Sequence, residues 1–115
     1  MEVKNNHINY IELTAQNLSE VKIFYQNSFQ WQFTDYGPDY TSFSNSGIAG
    51  GFARTDNKPD HGVLVVLYHS DLEHIRDCIL QNKGTVVRDI FSFPGGRRFH
   101  FVDPAGNELA VWSDQ

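Results

Sequence analysis

A repeated order of elements constrains this chain more than any other feature. Ile8–Thr14 is short, β-branched and aromatic, and reads as a strand. Asn17 follows as a helix cap with Glu20 three residues on. Leu18, Val21, Phe24, Tyr25 and Phe29 then recur at helical spacing, so the helix runs to about Ser28. Trp31–Tyr36, Tyr40–Phe43 and Ile48–Ala53 read as three strands, parted by turns at Gly37-Pro38-Asp39 and Ser44–Gly47. After the polar stretch Arg54–His61 the order returns. Gly62–His69 is a strand, Ser70-Asp71-Leu72-Glu73 a second capping box, and Leu72, Ile75, Cys78 and Ile79 one apolar helix face. Gly84 fits the helix C-cap. Thr85–Phe93, Arg97–Val102 and Glu108–Trp112 follow as strands, joined by turns at Pro94-Gly95-Gly96 and Asp103–Asn107. Asn17-Leu18 and Asp71-Leu72, which open the equivalent helices, stand 54 positions apart.

Strand, helix and three strands, twice over, imply an α+β fold of two βαβββ modules. The first module covers about 7–53 and the second about 62–114, with a linker at 54–61, all within one domain of 115 residues. Two curved mixed sheets, each backed by a helix, would enclose a central cavity. One cysteine, Cys78, leaves no disulfide to form within the chain, and its place on an apolar helix face suits an inert thiol. Sixteen aromatic residues (14%) argue against disorder. A net charge of −5 without a basic run makes nucleic acid a poor partner. No apolar run approaches the roughly 18 residues of a membrane span. A reducing cytoplasm is therefore the expected location.

Several segments resemble the glyoxalase/bleomycin-resistance/dioxygenase (vicinal oxygen chelate) superfamily. They are Tyr10-Ile11-Glu12-Leu13, Asn17-Leu18 through Phe24-Tyr25, Phe29-Gln30-Trp31, Ile48-Ala49-Gly50-Gly51, Ser70-Asp71-Leu72, and Phe101-Val102-Asp103-Pro104-Ala105-Gly106-Asn107. The likeness covers essentially the whole chain, in order. Metal-using members of that family carry inward His, Gln or Glu ligands on the first and last strands of each module. Here the matching positions are Tyr10, the stretch Ala49–Ala53, Leu64 and Ala110. Tyrosine is a poor ligand at neutral pH and the others offer no donor side chain, so the expectation is no metal and no other cofactor.

Glu12 and Glu108 each lie two positions from a vacant ligand position, hence on the same strand face. They are candidates for an acid–base pair, against the plainer reading that both are solvated or paired with Arg97 or Arg98. Of the histidines, His7, His61, His69 and His74 sit at segment ends or beside a helix start, and only His100 is a cavity candidate. Tyr10, Phe52, Leu64, Ala110 and Trp112 complete the expected ligand-binding set. Three functions stay open: a non-catalytic binder of a small molecule in the inter-module cavity, an atypical glyoxalase-related lyase or isomerase acting on a small oxygenated metabolite, and a structural or interaction module whose cavity is filled by side chains. The resemblance also implies a homodimer.

Overall fold

The computed structural model describes residues 3–57 and 62–115. The chain divides into two compact units, one of Met1–Asn9 with Val65–Gln115, the other Tyr10–Leu64. The element order is β1 (Ile8–Ala15), α1 (Leu18–Phe29), β2 (Gln32–Asp35), β3 (Tyr40–Ser44), β4 (Gly50–Arg54), β5 (Leu64–Tyr68), α2 (Leu72–Gln81), β6 (Thr85–Phe93), β7 (Gly96–Val102) and β8 (Glu108–Ser113). This is the expected α+β plan, βαβββ twice. Residues 58–61 of the expected linker, His61 among them, lie outside the described residues. No helix among the described residues is long and apolar enough to cross a membrane.

In the Tyr10–Leu64 unit the strands lie in the order β2-β3-β4-β1. Antiparallel pairs join β2 to β3 and β3 to β4, whereas β1 runs parallel to β4 with Glu12 opposite Gly51. Strand alternation gives each face a separate task. Ile11, Leu13 and Ala15 of β1 meet Phe43 and Phe52 on one face, and Leu18, Val21 and Tyr25 of α1 cover them. Trp31 stacks on Tyr25 with centroids 4.6 Å apart and planes 13° from parallel. Tyr10 and Glu12 fall on the opposite face.

In the other unit the order is β5-β8-β7-β6, with β5 and β8 parallel and the remaining pairs antiparallel. Leu72, Phe99 and Val111 form its core, with Ile75 and Ile79 of α2 packed against them. Ahead of β1, Asn6 N donates to Tyr68 O, and Tyr68 N donates to His7 O, which fixes the start of the chain along β5.

Both helices start where their cap residues dictate. The Asn17 side chain accepts from Glu20 N at 3.1 Å, satisfying one of the first orphan donors of α1. At α2, Asp71 alone caps the helix, accepting from His74 N. The capping box expected at Ser70–Glu73 does not form: Asp71 and not Ser70 caps the helix, so Glu73 falls at the second helical position, and its carboxylate accepts from Arg97 at 2.9 Å. The C-cap expected at Gly84 is also displaced. Lys83 takes the left-handed conformation (φ 74°). Gly84 serves a different need, since a Cβ there would come within 2.4 Å of Ile79 Cγ2.

Phe99 is fully buried at the centre of the second core. Phe99→Ala should lower unfolding free energy by about 3–5 kcal/mol, the range for deleting a buried aromatic ring. Urea denaturation followed by tryptophan fluorescence measures it.

Candidate ligand-binding site

Two polar clusters lie on sheet faces turned away from the helices, one in each unit. The first rests on a glycine. Tyr10 Oη of β1 and Tyr40 Oη of β3 are 2.5 Å apart, and Tyr40 Oη lies 3.3 Å from Glu12 Oε1. Between the two strands runs β4, with Gly51 beneath the phenols. A Cβ at Gly51 would stand 2.4 Å from Tyr40 Oη and 2.7 Å from Tyr10 Oη, so only a residue without one leaves room for this pair. If Tyr40 donates to the Glu12 carboxylate, its oxygen is left to accept from Tyr10, giving the chain Tyr10 to Tyr40 to Glu12. Burial above all, then the Tyr10 contact and the Glu12 charge, holds the Tyr40 phenol far above the ordinary tyrosine range, so it keeps its proton at any working pH.

Tyr40 was absent from the candidates drawn from the sequence. It lies 30 positions from Tyr10, and only the β1–β4 and β3–β4 registers bring the two together. The available signal was Gly51, a glycine inside a strand, which often marks a close approach.

Phe52 must be moved out of the ligand-binding set. It is 3% exposed and belongs to the helix-side core beside Phe43 and Ala15. Its neighbour Gly51 meets the phenols, so alternation along β4 turns Phe52 the other way.

The second cluster spans β7 and β8. His100 Nδ1 lies 3.1 Å from Glu108 Oε2, a diagonal contact across the antiparallel pair in which His100 faces Ala110 and Val102 faces Glu108. Ala110 is fully buried, and Trp112, two residues on, donates from Nε1 to Asn9 Oδ1 at 2.9 Å. Tyr68 meets Trp112 edge to face and bonds Asp114 Oδ1 through its hydroxyl. Leu64 opens β5, two residues before Val66, which pairs with Ala110. Burial depresses the His100 pKa below its ordinary value, with Arg98 and Arg88 adding to the effect and Glu108 opposing it.

The sequence candidates therefore separate into groups. Tyr10 and Glu12 share the first cluster; His100 and Glu108 form the second, with Ala110 and Trp112 on the same face of β8. Each carboxylate has a partner of its own, Tyr40 for Glu12 and His100 for Glu108. Arg97, considered above as a carboxylate partner, is committed to Glu73. No cluster of three or more His, Cys, Asp or Glu side chains able to hold a metal ion occurs among the described residues.

Two measurements follow from these clusters. Gly51→Ala should destabilise the fold by about 1–3 kcal/mol through overpacking against the two phenols, and Tyr40→Phe introduced alongside should recover part of that loss. Thermal and denaturant unfolding of the single and double variants report it. The lowered His100 pKa has a definite sign. The folded state resists protonation that the unfolded chain, near 6.5, accepts, so its contribution is complete above 6.5 and declines as pH falls through the folded pKa. Stability of the wild type should thus drop more steeply below pH 6.5 than that of His100→Gln.

Comparison with known proteins places this geometry in a family. None of the curated proteins matches the chain in sequence. Among solved structures, a hypothetical protein from Bacillus halodurans C-125 superposes with a TM-score of 0.77 at 10% identity, over 97% of this chain and 96% of that one. Methylmalonyl-CoA epimerase of Streptomyces coelicolor, in complex with 2-nitronate-propionyl-CoA, gives 0.71 at 13% identity, over 96% and 98% of the two chains. The Mn(II)-bound glyoxalase of Novosphingobium aromaticivorans gives 0.69 at 18% identity; 96% of this chain is covered, corresponding to 39% of that protein. At such identities the likeness is one of fold. The sequence profile of the Glyoxalase/Bleomycin resistance protein/Dioxygenase superfamily matches residues 7–111, and the chain belongs to that superfamily.

Proposed function

We propose that this protein binds a small molecule on the helix-free sheet faces through hydrogen bonds, without the divalent metal that other superfamily members use. The observation that carries this reading is the Tyr10–Tyr40–Glu12 chain above Gly51. Divalent metals need nitrogen, carboxylate or sulfur donors converging on one point. Of the four positions matching the family's ligands, one holds a phenol already paired with a second phenol, one falls on the strand whose cluster-facing residue is a glycine, and two hold Leu64 and the fully buried Ala110. These residues do not fit a divalent metal. They fit a ligand with a carbonyl or hydroxyl group that can exchange hydrogen bonds with the phenols, as backbone-anchored polar groups do in small-molecule sites.

A second reading, a lyase or isomerase of small oxygenated metabolites, draws on Glu12. A carboxylate at the end of a hydrogen-bonded chain can take a proton that Tyr10 and Tyr40 relay from a substrate. A homodimer in the cytoplasm completes the proposal in either form.

Elemental analysis of protein purified without chelators tests the metal-free reading. The expected result is less than stoichiometric Ni, Zn, Mn and Fe, and no rise in melting temperature when each is added. A stoichiometric metal that disappears in Tyr10→Phe would overturn it. Turnover of the methylglyoxal–glutathione hemithioacetal, lost in Glu12→Gln, would decide for the lyase.

A further inference from the structure

The second cluster holds a group that the Tyr10 face does not use. The His100 side chain is nine-tenths buried, and while Nδ1 contacts Glu108, Nε2 is buried with no hydrogen-bond partner. A carboxylate only accepts, so the bond to Glu108 requires the proton on Nδ1, and in the neutral ring this leaves Nε2 as a bare lone pair. Leaving a buried acceptor unmet costs on the order of 1–3 kcal/mol, and such atoms in native proteins call for an explanation. Phe91 of β6 stacks alongside the imidazole, centroids 6.0 Å apart and planes 25° from parallel. Arg88 lies over the Phe91 ring, its guanidinium carbon 3.7 Å from the centroid. The charged groups that act on the imidazole are Glu108 from β8, Arg98 from its own strand and Arg88 from β6.

We propose that His100 Nε2 is the acceptor for a ligand hydroxyl, in a subsite for small hydroxyl-bearing anions. Glu108 is its positioning residue: it sets the tautomer, which makes Nε2 an acceptor and not a donor. The two arginines supply the field that favours a negative ligand, and Phe91 stacks alongside the imidazole. The inference rests on the small-molecule reading above, and adds to it which atom reads the ligand and what that ligand must carry.

Nitrogen-15 NMR of histidine-labelled protein tests it. In the ligand-free protein at pH 7.5, His100 should be neutral with the proton on Nδ1. Glu108→Ala, at a half-exposed side chain, should keep the fold and bring in a population protonated on Nε2. Glycolate and its methyl ether, methoxyacetate, are the probes, equal in charge and different in the hydroxyl. Glycolate should shift the Nε2 resonance upfield in a saturable way, and methoxyacetate should bind at least about fivefold more weakly, the loss of one hydrogen bond to a buried acceptor. An Nε2-protonated His100 in the free protein, equal binding of the two probes, or an unmoved Nε2 resonance would each overturn the assignment. The tautomer is read without any ligand, and bound metal is read by elemental analysis, so failure here is distinct from failure of the metal-free reading.

Discussion

The period-two alternation of the strands, set against one covering helix per unit, is the constraint on which the remaining structure depends. Burying α1 commits Ile11, Leu13, Ala15, Phe43 and Phe52 to one side of their sheet. Burying α2 does the same with Phe99 and Val111. Each of these residues has neighbours in sequence that the pleat turns the other way, and those neighbours carry the chemistry: Tyr10 and Glu12 beside Ile11, Gly51 beside Phe52, His100 beside Phe99, Ala110 beside Val111. The apolar core and the polar clusters thus occupy the same strands without competing for the same side chains. A slip of one residue in any strand would exchange the two sets, placing a carboxylate under the helix and a phenylalanine on the polar face.

Much of this was legible in the sequence, for reasons that are local. Asn17 and Asp71 announce their helices because a cap acts over three residues. Glycine at Gly95 and Gly106, both at positive φ, marks hairpins closed within a few residues. The family likeness rests on the same short signals. What stayed hidden depends on contacts between distant segments. Tyr40 gains its place only when β3 and β4 are in register, and nothing near it in the chain mentions Tyr10. Phe52 was misplaced because an aromatic residue beside two glycines suits a pocket wall as well as a core, and only the close approach at Gly51 fixes which way the strand faces. Glu73 illustrates a third limit. Once Asp71 caps the helix, Glu73 stands one position short of the place that closes a capping box, and its carboxylate pairs instead with Arg97 of β7.

The two polar clusters differ in physical character. The phenol pair and Glu12 form an extended chain of hydroxyl hydrogens ending on a charge, which can polarise along its length. His100 and Glu108 form a compact unit in which one bond determines the state of the opposite ring nitrogen. Between them the two clusters hold two phenols, an imidazole and two carboxylates, each with a neighbour as partner. Other charges are paired away from these clusters, Lys22 with Asp35 and Arg76 with Asp89 among them.

Gly51 gives this arrangement a history-dependent quality. A histidine or glutamate at that position would bring its first side-chain carbon within 3 Å of both phenol oxygens, so it could not be admitted while Tyr10 and Tyr40 stay in place. Replacement of Tyr40 by something smaller has to come earlier, and that step alone dismantles the hydrogen-bonded chain. The glycine acts as a ratchet, making the paired phenols hard to leave by single mutational steps.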